Sequence, residues 1–236
     1  MGLYSLQKCF YSIERNVIKS KKNFSMSDGA GPFGYDIHFA LEVDYLIEKY
    51  QCDCFVETGT NSGDTTDYIS RLYPFIDVIT CETDDLLFNF SNERLSARKN
   101  VTILNESSEK VIEKYNRQRK YNMPFYYLDA HGEDYWPLGD ELKNIEYGII
   151  CVSDFYIGTE EEYGYDFYNN VICDKDIILK NTNPSSKIYV NNFIDTIKNY
   201  PFQSLQNLRK SGRAYFTKNV NEDYFKDCSY FMEIPY

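Results

Sequence analysis

Apolar residues along this chain gather in five short runs, at 54–56, 78–81, 101–104, 125–128 and 149–152, whose last apolar members lie about 24 positions apart. Runs of this length between polar segments read as strands buried on both faces. Between them the spacing turns helical, over 64–72, 85–97, 107–119 and 137–145. Strand and helix alternating at this interval predict an α/β fold with a parallel sheet and helices on both faces. A helix over 35–50 leads into the first strand. Further upstream, Leu3, Leu6, Phe10, Ile13 and Val17 repeat at alternating spacings of three and four, the signature of one helix face. That face is expected to pack on the main domain, with a homodimer through it as the other use. Gly29, Gly31 and Gly34, around Pro32, read as a hinge between the two helices.

Beyond residue 155 the pattern changes. Glu160, Glu161 and Glu162 lead into Tyr163, Gly164, Tyr165 and Asp166, which reads as a long acidic and aromatic loop over the strand ends. A helix is expected over 190–199, then two strands, 213–218 and 229–234, as an antiparallel closing pair. The resulting organisation is an N-terminal helical lead-in, 1–50, and a single globular unit, 51–236.

Length and charge narrow the partners. A chain of 236 residues can bury one large core. With 25 Lys and Arg against 36 Asp and Glu the net charge is −11, so no nucleic-acid partner is expected, because a polyanion needs a basic face. A small, positively charged ligand suits this balance better. No apolar run reaches the length of a membrane span and the N-terminus lacks a secretion-signal core, so the expectation is a cytoplasmic protein with no membrane partner. Seven cysteines without a Cys-x-x-Cys pair read as reduced thiols, and two histidines, His38 and His131, are too few for a zinc site.

In sheets of this kind the ligand lies outside the carboxyl ends of the strands. Those ends carry Glu57, Glu82, Asn105 with Glu106, Asp129 with His131, and Asp154. Gathering like charge at one edge adds nothing to stability, although each acid also suits a helix N-terminus. The first strand runs into Phe55-Val-Glu-Thr-Gly-Thr-Asn-Ser-Gly-Asp-Thr65. Gly59 lets the backbone turn, and Gly63 removes a side chain where a ligand or the next helix must approach. A dinucleotide site wants Gly-x-Gly-x-x-Gly, whereas this chain has Gly59-x-x-x-Gly63 with Glu57 two residues before. A carboxylate there repels a pyrophosphate and attracts the ammonium of an amino-acid moiety.

The pattern resembles the first motif of class I S-adenosylmethionine-dependent methyltransferases, and the likeness runs in order and spacing over roughly 30–236. Phe125-Tyr-Tyr-Leu-Asp-Ala-His-Gly132, followed by Tyr135-Trp-Pro-Leu-Gly-Asp-Glu-Leu142, is similar to a bacterial subgroup with Asp-Ala-His after strand four. The resemblance implies a Rossmann-like fold: a mostly parallel seven-stranded sheet with an antiparallel C-terminal strand. It implies S-adenosylmethionine as cofactor, with Glu82 on the ribose hydroxyls and Glu106 and Ser107 at the adenine. Glu57, Thr58, Gly59, Thr60, Gly63, Asp64 and Thr65 would surround the methionine part, and Thr83 and Asp129 would complete the cofactor contacts.

The implied reaction is in-line methyl transfer, with O-methylation of a small molecule or a sugar or glycan precursor as the expected outcome. His131 is the candidate general base, oriented by Asp129 or Asp154, although a helix cap or a cofactor contact suits it too. Tyr135, Trp136, Tyr156 and Tyr165 are candidate acceptor contacts, with packing the plainer use. Some related O-methyltransferases hold Mg²⁺ on acids after strands four and five; here Asp129 and Asp154 lack an evident third ligand, since Phe155 follows Asp154, so a metal is not favoured. The competing readings are a nicotinamide-dependent oxidoreductase, opposed by the missing glycine fingerprint, and a non-catalytic binding subunit.

Overall fold

The computed structural model describes residues 31–118, 120–130, 135–158, 163–182, 187–192 and 210–234. The expected N-terminal helix face, Leu3 to Val17, and the candidate base His131 lie outside these residues.

Helix α1 (Ile37–Tyr50) is capped by Asp36, whose carboxylate accepts from the His38 and Phe39 N–H groups. It leads to strand β1 (Cys54–Thr58), and the expected alternation follows: α2 (Asp64–Leu72), β2 (Asp77–Cys81), α3 (Asp85–Leu95), β3 (Val101–Leu104), α4 (Ser108–Gln118), β4 (Pro124–Leu128), α5 (Leu138–Asn144) and β5 (Gly148–Val152). The five strands are mutually parallel, in the order β5-β4-β1-β2-β3. Because the chain steps outward from β1 to β3 and then returns to β4, the crevice at the carboxyl ends of β1 and β4 is a topological switch point.

Side chains alternate between two cores. Phe55, Val78, Phe125, Tyr127, Ile149 and Cys151 pack against α1 and α2 on one face. Cys54, Val56, Ile79, Tyr126, Leu128 and Ile150 pack against α4 and α5 on the other. This two-sided burial is why the strands read as continuous apolar runs rather than as alternating ones. Helix α1 shares its core with the sheet, through Phe39, Val43 and Leu46.

Three C-terminal strands extend the sheet to eight. The 163–182 segment first forms β6 (Tyr163–Gly164), β7 (Phe167–Tyr168), β8 (Val171–Ile172) and α6 (Lys175–Asn181). Then β9 (Tyr189–Asn191) replaces the start of the expected 190–199 helix; its Tyr189, Val190 and Asn191 are all buried in the sheet. After β10 (Lys210–Ser211), which pairs with β6, β11 (Ala214–Lys218) runs antiparallel to β5. Short α7 (Asp223–Lys226) precedes β12 (Phe231–Glu233). The two late strands do not pair with each other as expected, because β9 lies between them and bonds to both.

The expected hinge is also different. Residues Pro32–Tyr35 form a 3-10 turn with Phe33 buried in the core. The Gly31 N–H donates to Asp64 Oδ2 at 3.0 Å and the Phe33 N–H to Thr65 Oγ1 at 3.0 Å, so this turn is fastened to α2.

Candidate functional site

A cavity of about 760 Å³ opens at the switch point, bounded by the ends of β1, β2, β4 and β5, the start of α4 and the 31–36 turn. Its floor is the glycine turn. Gly59 has φ +81°, and a Cβ there would stand 2.9 Å from the Asp129 carbonyl oxygen, so the missing side chain lets the ends of β1 and β4 pass. The Gly59 and Thr60 N–H groups donate to the Cys81 carbonyl. Gly63, φ +80°, serves the neighbouring helix: an added Cβ would meet Leu95 Cδ1 of α3 at 2.9 Å.

Glu57, the penultimate residue of β1, is 3% exposed and borders the cavity. Its carboxyl accepts from the Thr66 hydroxyl and, at 2.9 Å, from the Thr80 hydroxyl. Burial pushes its pKa up to about 8, against those two hydrogen bonds, and the nearby Asp129 and Asp64 charges act in the same direction as burial. Thr58 lies wholly inside and accepts the Asp129 N–H on its hydroxyl at 3.1 Å. Thr60, Asp64 and Thr65 border the cavity. Asp64 is ion-paired with Arg94 at 2.7 Å and accepts from Ser62, so it and Thr65 hold the 31–36 turn in place.

At the end of β2, Glu82 receives three backbone donors: Asn61 N–H on Oε2 at 2.8 Å, and Thr83 and Asp84 N–H on Oε1 at 2.9 and 3.0 Å. These fix the carboxylate at the rim; two of the donors share Oε1, so the acceptor capacity left is on Oε2. Thr83 borders the cavity beside it. On the α4 side, Glu106 is exposed and Ser107 donates to Glu109 Oε1 at 2.6 Å. Ser108, which the sequence reading passed over, is 5% exposed in the cavity wall, and its hydroxyl has no hydrogen-bond partner among the described residues.

Across the crevice stand Asp129, Asp154 and Asp166. The Tyr127 hydroxyl donates to Asp129 Oδ2 at 2.8 Å. Asp154 takes a left-handed backbone, φ +48°, and its carbonyl accepts the Asp166 N–H at 2.8 Å. Of the aromatic candidates, Tyr135 reaches the cavity and donates to Asp140 at 2.6 Å. Trp136 packs against the core on the α4 and α5 face, and Tyr156 and Tyr165 meet edge to face, centroids 4.8 Å apart, away from the cavity's described lining. Among the described residues, no group of three His, Cys, Asp or Glu could hold a metal ion.

Neither family models nor curated proteins match this sequence. Among solved structures, the N-methyltransferase NodS from Bradyrhizobium japonicum WM9, in complex with S-adenosyl-l-homocysteine, superposes with a TM-score of 0.50 at 10% identity, over 90% of this chain and 100% of that one. The methyltransferase domain of bacterial CtHen1-CN gives 0.50 at 11%, over 76% and 97%. The fold is that of the class I methyltransferases. A spermidine synthase from Thermotoga maritima shares it, with a TM-score of 0.50 at 12% identity over 82% of this chain, which spans 62% of that synthase's length.

The sequence reading also missed a buried ion cluster against the cavity. Arg213, 2% exposed, makes a two-point bond to Glu42 of α1, both contacts at 2.9 Å, and donates to Asp36 at 2.7 Å and to the Ser211 carbonyl at 3.0 Å. Its guanidinium lies over Phe39, 4.4 Å from the ring centroid. Burial raises the Asp36 pKa, but Arg213 and the Phe39 N–H outweigh it and hold the carboxyl below its ordinary value. The signal available in sequence was Asp36 as an N-cap ahead of an apolar helix; nothing local marked Arg213.

Proposed function

We propose that this protein transfers a methyl group from S-adenosylmethionine to a small acceptor bound at the ends of β4 and β5. The observation that carries the reading is Glu82, a carboxylate fixed by three backbone N–H groups at the end of β2, facing the glycine turn across one cavity. A ribose hydroxyl needs an oriented acceptor, and Oε2 of this carboxylate, which receives a single backbone N–H, supplies one. The cavity residues fit the cofactor in other respects. Ser108 holds a buried hydroxyl that has no partner among the described residues, suited to a heterocyclic base. Glu57 sits where a cation would draw it into its charged form. The 760 Å³ cavity falls within the range of small-molecule sites.

When bound, the sulfonium supplies an already activated methyl group. The protein's own part is alignment, exclusion of water and care of the acceptor's proton. The turn at 31–36, tied to α2 and to Arg213, covers one side of the cavity. Asp129 and Asp154 border the cavity, and the reading gives them the task of orienting His131, the candidate base, two positions after Asp129 in the chain. For a hydroxyl acceptor, such as that of a sugar, this proton removal is the step that needs a base.

Calorimetry with S-adenosylmethionine and S-adenosylhomocysteine tests the reading. Binding is expected for both, and Glu82→Ala should weaken it about tenfold or more while leaving the fold intact by circular dichroism. Binding of a nicotinamide dinucleotide instead, or of neither, would overturn the reading. Formation of S-adenosylhomocysteine with an acceptor separates an enzyme from a binding subunit.

A further inference from the structure

Glu57 is an almost wholly buried carboxyl group, and among the described residues no Lys or Arg pairs with it. The charges that reach it, from Asp129 and Asp64, have its own sign. Both hydroxyl bonds it accepts, from Thr66 and Thr80, fall on Oε2, which leaves Oε1 as the oxygen for the cavity that Glu57 borders. This arrangement suits a protonated carboxyl, with Oε2 accepting as a carbonyl oxygen does and Oε1 carrying the proton. An ionised group in the same place would rest a buried charge on two neutral donors beside two like charges, which is costly.

The elements packed around Glu57 do not relieve that cost. In the sheet it lies between Thr80 of β2 and Tyr127 of β4. The Tyr127 hydroxyl is given to Asp129, and the Cys81 Sγ of β2 lies 4.0 Å from the Glu57 carbonyl oxygen. Burial raises both the Tyr127 phenol and the Cys81 thiol above their ordinary values, so neither titrates near neutrality. From α2, Asp64 is paired with Arg94 of α3 at 2.7 Å. Arg213, beside β11 at the far wall of the cavity, is held by Glu42, Asp36 and the Ser211 carbonyl. A cation able to ionise Glu57 is therefore one that a ligand brings.

We infer that the ammonium group of the bound cofactor expels a proton from Glu57 into solvent, so that cofactor affinity rises with pH across the neutral range. This rests on the methyl-transfer reading of the cavity. The carboxylic acid loses its proton to the buffer, the ammonium keeps its three, and the pair that forms is neutral. In the free protein Glu57 holds its proton up to about pH 8, so about one proton should leave per ligand bound at pH 7. Below that value affinity should rise about tenfold per pH unit, and above it the gain should stop.

Calorimetric titrations in buffers of different ionisation enthalpy count the proton. S-adenosylhomocysteine, whose sulfur is neutral, isolates the ammonium. Methylthioadenosine, which keeps the nucleoside and sulfur but has no amino-acid part, should release none. Glu57→Gln should bind S-adenosylhomocysteine more weakly than the parent and without proton release. Carboxyl-carbon NMR of the parent, with the Glu57 resonance identified by its loss in Glu57→Gln, gives a reading independent of the variant's binding. That resonance should titrate near pH 8 in the free protein and at least about two pH units lower in the complex. No release on binding S-adenosylhomocysteine, equal release with methylthioadenosine, release that persists in Glu57→Gln, or a Glu57 titration unmoved by ligand overturns the inference. Failure of S-adenosylhomocysteine to bind at any pH would instead overturn the cofactor assignment on which it rests.

Discussion

Gly59 and Gly63 share nearly the same backbone, φ +81° and +80°, yet they do different work. At Gly59 an added methyl meets backbone, the Asp129 carbonyl, which cannot step aside; at Gly63 it meets the end of a leucine side chain, which can. Gly59→Ala should therefore cost about 1–3 kcal/mol by chemical denaturation and displace Asp129 as well, whereas Gly63→Ala should cost less and leave cofactor affinity nearer the parent value. Glu57 supplies a pH-dependent counterpart. The folded protein keeps its proton up to about pH 8, while the unfolded chain releases it near the ordinary value of 4.5, so the unfolded state gains ground as pH rises through that window. Urea unfolding of Glu57→Gln across those pH values should give a flatter profile than the parent, with the variant relatively better off at the alkaline end. An unchanged slope would show that Glu57 ionises normally in the fold.

At the scale of elements, the joint between α1 and β11 is ionic where its surroundings are apolar. Glu42 is wholly buried and Arg213 nearly so, and the Tyr215 hydroxyl donates to the same carboxylate. Removing one partner of such a cluster leaves an uncompensated charge inside, so Arg213→Met should destabilise the protein by about 3–5 kcal/mol. Adding Glu42→Gln should recover part of that loss, which a double-mutant cycle on urea midpoints would measure. The elements themselves were legible for local reasons. Caps such as Asp36 and Asp84, and the apolar runs of the five strands, four of them buried almost throughout, depend only on neighbours a few positions away. β9 was not legible, because Val190 and Asn191 follow an ambiguous pattern that reads equally well as the start of a helix. Pairing with β11 and β12, supplied from distant sequence, decides it.

Across the whole molecule, charge and topology act together. The switch in strand order brings the ends of β1, β2, β4 and β5 around one cavity, and the acids that the sequence spaces about 24 residues apart become neighbours there. Of the residues expected at the site, Glu57, Glu82, Asp129, Asp154 and Tyr135 border it; Trp136, Tyr156 and Tyr165 do not, since their apolar bodies pack elsewhere. Asp166, from the loop expected over the strand ends, borders it too, and Arg213 and the aromatic turn at Phe33 do so without having been expected.

Periodicity, caps and the acid-glycine turn were set by the sequence alone, because each is a property of residues two to four positions apart. The partners of those residues were set by tertiary structure. Gly63 answers to a helix rather than a ligand, the supposed hinge is a packed turn, and Arg213 at the cavity is neutralised by carboxylates 171 and 177 residues away. Contacts at that separation depend on chain topology, which no local pattern encodes, and they decide what charge the cavity presents to a ligand.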